Sequence, residues 1–144
     1  MIKKSVALAF FITSFLLMSN AYGEDEVYYC AEIDSNGFLY DKERSSYKRA
    51  GFKSEKFKIK LDRESNLIEL AEDDGHRDEY TCKIPVPIGR PELMTCTDFS
   101  LSQFNFNTNN GRFIFSHGFG YVGSMEDSEH PDSISISYGK CDKF

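Results

Sequence analysis

Four cysteines carry the most definite chemistry in this chain: Cys30, Cys82, Cys96 and Cys141. Their spacings of 52, 14 and 45 residues contain no C-x-x-C pair and fit no zinc pattern. An even count behind a secretory leader reads as two disulfides. Pairing them leaves no thiol nucleophile. Two of the three histidines lie near acids, His76 beside Glu72-Asp73-Asp74 and His130 beside Glu126-Asp127-Ser128-Glu129, while His117 stands alone before Gly118. Mixed His and carboxylate sets can hold a metal, but such runs also serve as solvated turns between strands. No G-x-S-x-G or H-E-x-x-H motif is present. No catalytic residue is assigned, and the reading favours a non-enzyme.

The segment Glu32-Ile33-Asp34-Ser35-Asn36-Gly37-Phe38-Leu39-Tyr40-Asp41-Lys42-Glu43 resembles an EF-hand calcium loop. Glu32, Asp34 and Asn36 take the first three ligand positions, Gly37 the turn and Glu43 the bidentate place. The resemblance implies calcium held by Glu32, Asp34, Asn36 and Glu43. The competing reading is a strand, an Asp-Ser-Asn-Gly turn and a second strand. No other cofactor is indicated.

A second set is aromatic. Phe57, Tyr80, Phe104, Phe106, Phe113, Phe115, Phe119, Tyr121 and Tyr138 are expected to share one interior. All but Phe119 are candidates to line an apolar ligand cavity. The alternative is that the rings simply fill a small barrel.

The elements that must position these residues are strands. Apolar and polar residues alternate through Phe57–Leu61, Ile68–Leu70, Tyr80–Ile84, Phe104–Phe106, Phe113–Phe115 and Ile134–Tyr138, the period of a half-buried strand. Eight strands are expected, centred near Tyr29, Ile59, Ile68, Cys82, Cys96, Phe104, Phe115 and Ile136. Residues 119–122 would prolong the seventh beyond a kink at Gly118. Residues 41–56 are polar and read as a long loop. The predicted fold is all-β: an antiparallel meander of about eight strands closed into an up-and-down barrel, with a flattened sandwich as the alternative.

Pairing follows from keeping each apolar set on one face. Ile59 is set against Leu70, and Leu61 against Ile68. Leu70 is set against Tyr80, and Ile68 against Cys82. Cys82 faces Cys96, Ile84 faces Met94, and a type I′ turn at Asn110-Gly111 places Phe106 opposite Phe115. The hairpin symmetry pairs Cys82 with Cys96. Cys30 on the first strand and Cys141 after the last then clasp the barrel seam.

At the N-terminus, Lys3 and Lys4 precede an apolar run from Val6 to Met18 and a small, polar stretch ending Ala21-Tyr22-Gly23. This is the layout of a signal peptide over residues 1–23, with a β domain over 24–144 and a periplasmic or secreted product. Removing 23 of 144 residues leaves 121, a length that suits one domain. The leader takes two lysines from a chain of net charge −6, leaving −8. That acidity argues against nucleic acid and anionic membranes as partners. Outward Lys58, Lys60 and Lys83 oppose insertion of the barrel in lipid. The expected role is binding of a small apolar molecule, with a solid-core protein-interaction module or a calcium-stabilised domain as alternatives.

Overall fold

The computed structural model describes residues 25–84, 89–123 and 133–144. The expected leader, residues 85–88 of the Pro-rich connection, and the acidic segment with His130 lie outside the described residues. Nine strands follow in order: β1 (Glu26–Asp41), β2 (Ser46–Gly51), β3 (Lys56–Asp62), β4 (Leu67–Glu72), β5 (Arg77–Lys83), β6 (Leu93–Thr97), β7 (Gln103–Asn107), β8 (Arg112–His117) and β9 (Ser133–Lys143). One helical turn, α1 (Phe119–Val122), precedes β9.

All pairings are antiparallel, and β9 returns to β1, so β1 and β3 to β9 close an eight-stranded barrel. Closure leaves no free edge around the barrel. The core is the inward set of these strands, with Ile59, Leu61, Ile68, Leu70, Cys96 and Phe104 at or near complete burial. They alternate with exposed or half-buried residues, among them the exposed Lys58, Lys60 and Lys83. Disulfides join Cys30 to Cys141 and Cys82 to Cys96, with both Cα separations at 3.9 Å. This is closer than the roughly 4.5–5.5 Å expected of a regular antiparallel pair.

Several expectations are corrected. The polar segment 41–56 contains β2, which pairs with the far half of β1 as a ninth strand outside the barrel. The Asp34–Gly37 "turn" is an unbroken part of β1. Residues 119–122 form α1 and do not extend β8. Ile68 faces Tyr80 and Leu70 faces Asp78, two residues from the expected register. The cause is the turn: Gly75, at φ +92°, donates its N–H to the Glu72 carbonyl and closes a tight loop centred on Asp74. Phe106 faces Phe113, and Phe104 faces Phe115. Here Asn107 accepts N–H bonds from Asn109 and Asn110, and only Gly111 has positive φ. A four-residue loop replaces the two-residue I′ turn. The β5–β6 pairing stops at Lys83–Thr95 and leaves Ile84 exposed. Both two-residue shifts preserve which face is buried.

Closure explains an irregularity in β1. From Thr81 the pairs step to Leu67 and Asp62 on one side, and Asp62 lies level with residue 25, one beyond Glu26–Leu61. On the other side they step through Thr97, Gln103, Ser116 and Ile136 to Asn36. One circuit therefore climbs from residue 25 to 36 along β1. An odd climb would meet an inward residue with an outward one, because side chains alternate with period 2. A bulge between Glu32 and Asp34 absorbs the odd residue, Ile33. Before it Tyr28 and Cys30 face inward; beyond it Ser35 does.

Candidate functional site

Six of the eight aromatic candidates meet in the interior. Phe57, Tyr80, Phe104, Phe106, Phe113 and Phe115 are buried. Phe104 is the hub, with ring centroids 5.7 Å from Phe106, 5.4 Å from Phe113, 5.7 Å from Phe115 and 6.1 Å from Phe57. Phe57 and Phe113 are 5.3 Å apart, and Tyr80 lies 5.9 Å from Phe115. Rings at these separations touch one another, so this part of the barrel is filled by its own side chains. The other two candidates lie elsewhere. Tyr121 sits exposed on α1, edge-on to Tyr47. Tyr138 points outward and is 50% exposed. Phe119 is exposed as well.

Tyr138 is outward because β9 is turned over relative to its expected facing. Cys141 must face inward to reach Cys30, and alternation then turns Gly139 and Ser137 inward and Tyr138 and Ile136 outward. The seam between β1 and β9 is accordingly lined by small residues. A Cβ on Gly139 would lie 2.1 Å from the Ala31 carbonyl oxygen and 2.6 Å from the Phe113 ring; one on Gly37 would lie 1.9 Å from the Ile134 carbonyl oxygen.

The calcium-loop candidates are strung along β1 and the turn after it. Glu32, Asp34 and Asn36 belong to extended strand, and Glu43 lies beyond its end. At about 3.3 Å per residue the nine steps from Glu32 to Asp41 span roughly 30 Å, so the four oxygens do not converge. Glu32 accepts the Glu55 N–H; Asp34 accepts the Ser35 N–H and the Asn36 amide. Among the described residues no group of three or more His, Cys, Asp or Glu is placed to hold a metal ion.

Near the opposite end of β8 from Arg112, Ser102 lies 2.9 Å from His117 Nδ1 and 2.9 Å from Ser100 Oγ, and Ser100 donates to Asp98. Burial holds the His117 pKa below its usual value, against the pull of Asp98 and Glu32. Ser102 is itself buried. The network satisfies buried polar groups and ties the 98–102 turn to β8.

One concavity lies on the outer wall of the barrel. It encloses about 770 Å³ and crosses β6, β7, β8, β9 and β1. Its lining includes Met94, Phe106 and Phe113, whose side chains are buried inward, and Gly139. One wall is a row of cross-strand neighbours, Thr95, Asn105, Ile114 and Tyr138, continued by the bulged Ile33. The other wall holds Leu93, Asn107, Arg112 and Lys140. Ile33, Ile114 and Tyr138 are exposed. A second hollow, lined by Lys53, Lys56, Glu55, Glu72, Asp73 and Asp74, is polar; burial there, with Glu55 and Asp74 close by, raises the Glu72 pKa. The outer groove is not legible in the sequence pattern, which places Tyr138 in the interior and Ile33 in the candidate calcium loop. The parity of Cys141 against Tyr138 was the available signal.

A comparison with protein-family models and one with curated proteins each found no match to this chain.

Proposed function

We propose that this chain is exported, to the periplasm or outside the cell, and acts without catalysis as a β-barrel that binds a small apolar molecule in the groove on its outer wall. The groove carries the reading. Its volume falls in the roughly 300–1,000 Å³ range of small-molecule sites, and its lining mixes apolar side chains with a few polar ones, as such sites do. Two disulfides are consistent with an oxidising compartment, and the leader pattern of residues 1–23 supplies the route. N-terminal sequencing of the exported product is expected to begin at Glu24, or at Tyr22 if cleavage follows Ala21; a product that begins at Met1 overturns the export reading.

The filled aromatic interior favours one second reading, a solid-core module whose surface contacts another protein. Displacement of a fluorescent apolar probe separates the two. The probe is expected to bind the purified domain, and Ile114→Asp is expected to weaken it about tenfold or more without lowering the melting temperature. Absence of probe binding leaves the interaction module standing.

A further inference from the structure

The groove has a charge as well as an apolar lining. Arg112 and Lys140 are directly opposite on β8 and β9, and both lie in its wall. Like charges set opposite each other disfavour strand pairing. The row continues: Ala31 pairs with Lys140 on one side and Lys56 on the other, so cations flank a small residue across β8, β9, β1 and β3. This happens in a chain of net charge −6.

Several cations elsewhere on the surface have close acids. Lys60 lies 2.7 Å from Asp25, Arg77 2.8 Å from Glu69, Arg90 2.6 Å from Glu92, Lys143 3.0 Å from Glu26 and Lys48 3.1 Å from Asp41. Lys140 reaches only Asp142, at 3.8 Å, and that carboxylate is almost wholly in water. Arg112 has no ion pair among the described residues. The Thr95 hydroxyl and the amide oxygens of Asn105 and Asn107 are already engaged. Thr95 donates to Asn105 at 2.9 Å, Gln103 donates to the same oxygen at 3.3 Å, and the Asn107 oxygen caps its own turn. The charged side-chain donors of the groove are those of Arg112 and Lys140.

We infer that the ligand is a free single-chain anionic amphiphile, with its apolar chain against Ile33, Ile114 and Tyr138 and its anionic head on Arg112 and Lys140. Ile114, Tyr138 and Ile33 stand on the adjacent strands β8, β9 and β1, two spacings of about 4.8 Å or about 10 Å of apolar wall, and the groove runs on across β7 and β6 to Leu93. A guanidinium and an ammonium side by side suit a carboxylate or sulfate head, the guanidinium binding in bidentate fashion. The inference rests on the groove reading above, and its test separates the two.

Calorimetry of the disulfide-intact exported protein compares sodium dodecanoate with dodecan-1-ol, both as monomers. Dodecanoate is expected to bind at least tenfold more tightly, and the preference to shrink as salt is raised, because exposed charges are screened. In the Arg112→Gln/Lys140→Gln double variant the preference is expected to vanish while dodecanol still binds and the melting temperature does not fall, relief of the like-charge pair acting to raise it. Equal binding of the two ligands overturns the anionic head and leaves the groove reading intact. Failure of both to bind overturns both. A preference that survives the double variant places the head elsewhere and overturns the assignment. Retention on anionic vesicles without monomer binding makes the surface a membrane dock and overturns it as well.

Discussion

At the scale of single residues, Glu26 and Leu101 show opposite uses of local geometry. Glu26 opens β1 and gathers Arg63, Tyr28 and Lys143 around one carboxylate, tying the β3–β4 turn and β9 to the first strand. The Arg63 guanidinium, helped by Tyr28 and Lys143, holds its pKa down to about 2, against burial that pushes it up. The Tyr28 hydroxyl is raised to about 12, by burial first and by Glu26 second. A carboxyl pKa lowered on folding contributes stability that is present above about 4.5 and lost as pH falls towards 2. Arg63 and Lys143 are half-exposed, so screening holds the contribution to about 1–2 kcal/mol. Glu26→Gln is expected to lower stability by that amount at pH 7 and to flatten the acid limb between pH 4.5 and 2, read by urea denaturation across pH. Leu101 is strained instead. It sits at φ +61° with its side chain largely in water. The left-handed conformation costs a non-glycine residue about 1–2 kcal/mol, and little burial offsets it. Leu101→Gly is expected to raise stability by about 0.5–1 kcal/mol, after the extra freedom glycine brings to the unfolded chain; an unchanged or lower denaturation midpoint contradicts this.

At the scale of elements, periodicity located all eight barrel strands, and the hairpins carried their own turn chemistry. Asp41, Asp62 and Asn107 each end a strand and accept N–H bonds from the second and third residues after them, and the fourth (Ser45, Asn66 or Gly111) takes the left-handed conformation. That repeated four-residue loop sets the β7–β8 register at Phe106–Phe113, which an Asn-Gly pair alone misassigns by two. Two features were not legible from local pattern. The strand β2 is polar on both faces because it lies outside the barrel, so it carries no alternation to read. The facing of β9 is decided across the seam by a disulfide. Ile134, Ile136 and Tyr138 form a perfect apolar stripe, yet the even-numbered stripe and the odd-numbered Cys141 cannot both face inward on an unbroken strand. The covalent bond and the lack of room beside Phe113 decide for Cys141, the stripe turns outward, and its Tyr138 joins a wall of the groove. Gly139 marks that choice. Gly139→Ala is expected to destabilise the protein by about 1–3 kcal/mol, the range for overpacking with backbone displacement, and to loosen amide protection along β1 and β9 before β4 and β5. Uniform loss of protection on hydrogen exchange contradicts the assignment of the strain to the seam.

At the scale of the whole molecule, the barrel is a meander whose last strand must find its first. Seven of the eight barrel pairings join strands that follow one another along the chain or, for β1 and β3, are separated only by β2; the eighth, β9 to β1, spans almost the whole described chain. Such a contact is entropically the most expensive to form, and the bulge at Ile33 shows that its register is also the one geometry has to adjust. The Cys30–Cys141 bridge lies across this pairing with a sequence separation of 111, whereas Cys82–Cys96 spans 14 within one hairpin. Loop-closure entropy assigns about 4–5 kcal/mol to the first and about 3 to the second. The larger loss falls at the one contact that no short turn holds in register. Cys30→Ser is therefore expected to impair folding more than Cys96→Ser, with a lower melting temperature and earlier opening of β1 and β9, and Cys30→Ser/Cys141→Ser is expected to repeat the result without a lone thiol. Melting curves and non-reducing peptide maps of the variants check this: a Cys96→Ser protein that melts at or below the temperature of Cys30→Ser shows that the hairpin, not the seam, limits the stability of the barrel.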